Sequence, residues 1–217
     1  MGAWFLDVQA RRTLEALRGL TPGATVLDVG GGHAQLTPAL VQAGYDVTVV
    51  GSDERCQARL QPWTSTARCR FEVADLRALP YPDRAFDAVL CYRLLAHSVD
   101  WRHLVGELCR VARRRVAVDY PSSRSLNLIS DQLFLLKKRI EVSTRRYLMF
   151  SPREIRTAFA AAGFRVAAES PQFLLPMVLH RATGSVAIAR ATEGPARALG
   201  LTRLFGSPVI VRADRVD

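Results

Sequence analysis

Short apolar runs rich in β-branched residues alternate along the chain with segments of helical period. Val26-Leu27-Asp28-Val29 and Val47-Thr48-Val49-Val50 are the first two runs. Phe71-Glu72-Val73, Phe86 to Leu90 and Val116-Ala117-Val118 follow. Between the last two, Leu104, Leu108 and Val111 fall on one face of a helix over Trp101 to Ala112, with Asp100 placed to cap it. Alternation of this kind predicts an α/β fold, a mostly parallel sheet with helices on both faces. After the fifth strand the rhythm breaks: residues 122–146 read as a helical lid insertion. Ser151-Pro152 then opens a helix, with Glu154 strengthening the start signal, and Ala162-Gly163 closes it. Phe164 to Ala167 and Pro208 to Arg212 complete a seven-stranded sheet, so residues 1–217 are expected to form one domain.

Composition changes this picture little. The four cysteines are widely spaced with no CxxC pair, which predicts packed reduced thiols and no metal site. No apolar run approaches the roughly 18 residues of a membrane span. Asp7 close behind Phe5 argues against a signal peptide, and Leu6 fails the myristoylation pattern, so a cytoplasmic protein is expected. The net charge of +10 invites a nucleic-acid or membrane reading. Of the 30 basic residues only Lys137 and Lys138 are lysine, and the arginines are scattered. A solvated basic face is the plainer reading; attraction to an anionic substrate, or peripheral contact with a membrane, comes second.

The chemistry begins at Asp28-Val29-Gly30-Gly31-Gly32-His33-Ala34-Gln35. Glycines between a strand and a helix let the backbone approach a ligand closely. The dinucleotide pattern G-x-G-x-x-G needs glycine where Gln35 stands, and no P-loop lysine follows. The pattern present is Asp-x-Gly-x-Gly-x-Ala. Its leading carboxylate would repel a pyrophosphate and suit a ligand carrying an ammonium and a sulfonium.

In this the chain resembles the class I, Rossmann-like S-adenosylmethionine-dependent methyltransferases, whose glycine loop cradles the methionine and ribose parts of the cofactor. The resemblance implies cofactor-binding roles for Asp28, Gly30, Gly31 and Gly32, with Ala34 replacing a common third glycine, a change tolerated if its φ is negative. Asp53, 21 residues beyond Gly32, would accept both ribose hydroxyls, although alone it reads equally as a helix cap. Asp75-Leu76 would meet the adenine, or mark an ordinary turn. Leu79-Pro80-Tyr81-Pro82-Asp83 through Phe86-Asp87-Ala88-Val89, then Leu95-Ala96-His97-Ser98-Val99-Asp100 and Glu107-Leu108-Cys109-Arg110-Val111, are similar to the ubiquinone and menaquinone biosynthesis methyltransferases. Arg113-Arg114-Arg115 stands where that family has a Pro-Gly-Gly turn, at the strand end away from the ligand crevice.

The resemblance implies methyl transfer from S-adenosyl-L-methionine to a small hydrophobic acceptor at oxygen or carbon, with S-adenosyl-L-homocysteine as product. The protein's part is to orient donor and acceptor in a dry pocket. His97, at the carboxyl edge of the fourth strand, is the candidate base, and the loop-holder reading stands beside it with equal weight. Tyr92, a second catalytic candidate that also meets the cofactor, and Arg93 would position the acceptor. Leu133 in the lid and Tyr147 beyond it would line its pocket, and Trp4 and Phe5 would close it from the N-terminal helix. His33 counts by its backbone; His103 and His180 read as surface or packing residues. No nucleic-acid partner is expected, since Cys91-Tyr92-Arg93-Leu94 stands where amino-directed DNA enzymes carry [DNS]-P-P-[FYW]. A monomer or homodimer is expected. The rival readings are a nicotinamide oxidoreductase, which Gln35 opposes, and a non-catalytic binding or scaffold protein.

Overall fold

A computed structural model describes residues 2–125, 147–176, 179, 180 and 183–216. The seven strands are β1 (Thr25–Val29), β2 (Asp46–Gly51), β3 (Cys69–Val73), β4 (Phe86–Cys91), β5 (Ala112–Tyr120), β6 (Phe164–Phe173) and β7 (Ser207–Arg215). They lie in the order β3-β2-β1-β4-β5-β7-β6. The first five run parallel, and β7 is antiparallel to both β5 and β6. The chain turns one way from β1 to β2 and β3, then crosses back to β4. That reversal opens a crevice at the carboxyl ends of β1 and β4, the place where ligands bind in open α/β sheets.

The described helices are α1 (Gly2–Leu17), α2 (Thr37–Gln42), α3 (Gln57–Thr64), α4 (Trp101–Val111), α5 (Pro152–Ala161), α6 (Val186–Ala198) and α7 (Leu201–Phe205). Two apolar clusters cover the two faces of the sheet. One joins Leu27, Val89 and Val118 to Leu104 and Leu108 of α4 and Phe159 of α5. The other joins Val26, Val49 and Leu90 to Leu17 of α1, Leu40 of α2 and Leu60 of α3. Because successive strand residues point to opposite faces, a strand buried on both must be apolar throughout. Val26, Leu27 and Val29 are fully covered, so Asp28 among them is the exception that needs a reason.

The cap signals act as expected. Asp100 accepts from the His103 N–H at 3.4 Å, and Ser151 with Glu154 closes a reciprocal capping box on α5. Two expectations are corrected. Arg113, Arg114 and Arg115 form no turn: α4 ends at Val111 and β5 starts at Ala112, so the three arginines lie in the strand itself. Arg113 and Arg115 pair there with Asp87 and Asp214, which suffices to hold a basic stretch at a sheet rim. The last two strands also run longer than expected, because β6 and β7 pair along almost their whole length. Of the expected lid, residues 126–146 lie outside the described residues, Leu133 among them; its start is tied down by a bridge between Ser122 and Phe150.

Candidate functional site

Asp28 lies in β1 between Val49 of β2 and Leu90 of β4. It is buried, and its Oδ2 has no hydrogen-bond partner. An unpaired buried carboxylate is costly, and burial pushes this one up to about 7 against the pull of the Arg93 guanidinium. The glycine loop folds directly over it. Gly30 takes φ +79°, and its N–H donates to the Val50 carbonyl at 2.8 Å. A Cβ on Gly31 would overlap the Asp28 carboxyl, with even the farther oxygen only 2.9 Å away. One on Gly32 would meet Cys56 Sγ at 2.6 Å. The loop therefore packs to a depth that only glycine permits, with an orphaned acid beneath it.

One residue of the loop departs from expectation. Ala34 sits at φ +55°, in the left-handed region, not at negative φ. Its N–H donates to the Gly31 carbonyl at 2.8 Å, and that turn carries the strain, of about 1–2 kcal/mol, that glycine would avoid. α2 then starts only at Thr37, so the loop backbone itself forms most of the cradle.

Asp53 and Asp75 stand just beyond the carboxyl ends of β2 and β3, on the same edge as the loop. Asp53 is partly exposed and Asp75 exposed, and each accepts from an arginine two residues on. Asp53 caps the short 3₁₀ turn Glu54–Cys56 and forks with the Arg55 guanidinium, which holds its carboxyl down at about 2. Asp75 accepts the Arg77 N–H at 2.9 Å and its guanidinium at 3.2 Å, and is lowered likewise. Of the two roles Asp53 suggested, the cap is the one seen. Water screens such exposed pairs, so either arginine can yield its carboxylate to a better partner. Leu76 is half-buried against the core cluster that holds Leu79 and Phe86.

The far wall of the crevice is the end of β4. Tyr92 is buried, and burial raises its hydroxyl far above the ordinary phenol value, so it stays protonated. It shares a hydrogen bond with Thr13 of α1 at 3.1 Å. Arg93 takes φ +58°, and its N–H donates to Asp119 of β5, a buried carboxyl raised to about 6. Asp28, Gly30, Gly31, Tyr92, Arg93 and Gln9 of α1 line one small cleft. Gln9, Thr13 and Asp119 are functional candidates that the sequence reasoning missed. The signal was present: Gln9 and Thr13 recur at i, i+4 on a face otherwise apolar, and Asp119 interrupts a strand of covered residues.

His97 lies apart from that cleft, exposed at the end of the 3₁₀ turn Leu95–His97. Its ring meets that of Tyr147 edge-on at 5.6 Å, and the Leu148 N–H donates to the Ala96 carbonyl at 2.8 Å. The structure thus brings His97 and Tyr147 together at the rim. Trp4 and Phe5 pack on Phe173 and on the buried imidazole of His180. A larger cleft, about 430 Å³, opens at the opposite strand edge beside Arg84 and Arg110. Arg110 is held there by Glu107, Asp83 and the Leu79 and Tyr81 carbonyls.

Residues 27–117 match the sequence model of the family described as "Methyltransferase domain". The structure around that stretch has the class I, Rossmann-like methyltransferase fold. The chain is 34% identical over 118 residues to the 27-O-demethylrifamycin SV methyltransferase of Amycolatopsis mediterranei, covering 50% of this chain and 43% of the relative. It is 34% identical over 107 residues to the demethylmenaquinone methyltransferase of Deinococcus radiodurans, covering 46% and 44%. The chain spans less than half the length of these relatives. Magnesium protoporphyrin IX methyltransferase from Synechocystis PCC 6803, solved with bound SAH, superposes at a TM-score of 0.67 with 20% identity, over 98% of this chain and 83% of that one.

Proposed function

We propose that the protein transfers a methyl group from S-adenosyl-L-methionine to a small-molecule acceptor, leaving S-adenosyl-L-homocysteine. The observation that carries the reading is the orphaned Asp28 carboxylate under a loop too tight for a Cβ at Gly31 or Gly32, flanked by arginine-paired acids at the next two strand ends. That donor set fits the cofactor. Asp28 and the loop glycines would hold its charged methionine end, Asp53 its ribose hydroxyls, and Asp75 and Leu76 its adenine. The cofactor supplies the electrophilic methyl group, and the protein supplies orientation and a water-poor pocket. Tyr92, kept protonated, serves as a positioning donor on the cleft wall; Gln9 and Arg93 complete that wall. His97 and Tyr147 form the acceptor rim, with residues 122–146, Leu133 included, as the lid of a single domain over 1–217. All four cysteines are unpaired, which favours a reducing, cytoplasmic setting. Among the described residues no helix is long and apolar enough to cross a membrane.

Asp28 gives a pH signature. Its folded value, about 7, lies above the ordinary 3.8, so the native state keeps a proton that the unfolded chain has released. Its contribution to stability therefore falls as pH rises from about 4 to about 7, and is flat above. A cationic ligand favours the ionised carboxylate. Affinity for S-adenosylmethionine is expected to rise as pH approaches 7 from below, with proton release on binding, and Asp28→Asn is expected to remove that dependence. Calorimetry in buffers of different protonation heat reads both; a flat profile in the unmodified protein contradicts the assignment.

Turnover is tested by transfer of labelled methyl to a panel of hydroxylated and activated-carbon acceptors. If His97 removes the acceptor's proton, His97→Gln lowers kcat by about 100-fold, the usual worth of a general base, with little change in KM. A loop-holding role instead raises KM and leaves the pH profile intact.

A further inference from the structure

α6 is attached to the body of the protein by a thin face, Ala189, Glu193 and Ala196. Its one acid is spent in that attachment. The buried Glu193 carboxylate accepts from the Leu174 and Leu175 N–H groups at 2.9 and 3.0 Å, and meets His180 Nε2 at 2.9 Å. On the flank, Ile188, Thr192, Pro195 and Leu199 recur at the spacing of one helical stripe. Ile188 is 50% exposed and Leu199 76%. After a break at the left-handed Gly200, α7 adds Leu201, Leu204 and Phe205, all exposed. These side chains are five of the ten large hydrophobics exposed among the described residues, gathered into eighteen positions. Such clustering marks an interaction surface, where scattered apolar residues would mark nothing.

The charges on this surface have one sign. Arg190, Arg197 and Arg203 are exposed on α6 and α7, and with Glu193 buried no carboxylate faces solvent on either helix. We propose that α6 and α7 dock on an anionic lipid bilayer, with Leu199, Leu201, Leu204 and Phe205 entering the headgroup–acyl boundary and the arginines meeting lipid phosphates. Apolar side chains beside exclusively basic ones are what such an interface selects. A second copy is a poor occupant, because the same arginines would face each other across the contact. A nucleic acid gains nothing from exposed leucines.

The surface has a position as well as a composition. Ser207, two residues beyond Phe205, pairs with Phe173 at the carboxyl end of β6, and Val209 pairs with Tyr120 at the carboxyl end of β5. α7 therefore reaches the sheet at the edge that carries Asp28, Tyr92 and His97. Under the methyl-transfer reading, that places the acceptor rim beside a membrane and favours a lipid-dissolved acceptor; the docking itself does not rest on that reading.

The test is co-sedimentation of the full chain with phosphatidylcholine vesicles, with and without about one third phosphatidylglycerol. The chain is expected to bind the anionic vesicles about tenfold more tightly than the neutral ones, and less so at high salt. Leu199→Gln/Leu204→Gln/Phe205→Gln, which leaves the charge unchanged, is expected to weaken binding about tenfold or more. Arg190→Gln/Arg203→Gln is expected to remove the preference for anionic lipid. The substituted side chains are exposed, so melting temperature and S-adenosylmethionine affinity should stay unchanged in both variants, which separates loss of docking from loss of the cofactor site. Failure of the chain to bind anionic vesicles, or equal binding by the triple-glutamine variant, overturns the proposal. So does a dimer in lipid-free sedimentation velocity that the triple-glutamine variant dissociates, since the surface would then belong to a second copy.

Discussion

Gly31→Ala is expected to weaken binding of S-adenosylmethionine and S-adenosylhomocysteine by about 100-fold, the usual result of misplacing a positioning element by an ångström. The added methyl would overlap the Asp28 carboxyl. Asp28 cannot retreat, because it is held in β1 between β2 and β4. The loop must lift, and with it the backbone that forms the cradle. Overpacking of this kind costs about 1–3 kcal/mol, so the fold should survive while the site fails. Gly106→Ala is the matching control. Gly106 lies inside α4 with open space around its Cβ position, and alanine there should stabilise by up to about 1 kcal/mol without touching binding. Calorimetric titration and thermal melts of the two variants read both effects. Unimpaired binding by Gly31→Ala would mean the ligand lies elsewhere.

Phe159→Ala is expected to cost about 3–5 kcal/mol, the range for emptying a buried aromatic site. Phe159 is fully covered on α5, in the cluster that joins α4 and α5 to β4, β5 and β7. The same cluster holds Leu108, Ile155 and Phe164, side chains fixed on separate elements that cannot collapse together into the cavity. Denaturant unfolding measures the loss. A change below about 1 kcal/mol would show that this face of the sheet is not closed by α5 as described.

Most of the architecture was readable from periodicity because both faces of the sheet are covered. A strand buried on both sides must be a short apolar run, and Val26 to Val29 and Phe86 to Leu90 could hardly be anything else. Boundaries were less readable. The arginines at 113–115 look like a turn in one dimension, and only their partners Asp87 and Asp214, distant in sequence, show why they belong to β5. The glycine loop was legible as a cradle, while the left-handed Ala34 was not, since no side chain announces its own φ. Asp53 and Asp75 were legible by position after their strands, but not their capture by Arg55 and Arg77. Gln9 and Thr13 mark α1 by their i, i+4 spacing on an apolar face, but only Tyr92 opposite them shows what that polar pair meets.

On the proposed reading, this crevice binds an S-adenosyl ligand through acids at three adjacent strand ends. Calorimetric titration of the full chain with S-adenosylmethionine, S-adenosylhomocysteine and NAD, repeated on Asp53→Ala, tests it most directly. Micromolar-range binding of the two adenosyl ligands is expected, about tenfold or more weaker in Asp53→Ala through the loss of the ribose contacts, with no comparable binding of NAD. Absence of adenosyl-ligand binding, or a preference for NAD, would contradict it.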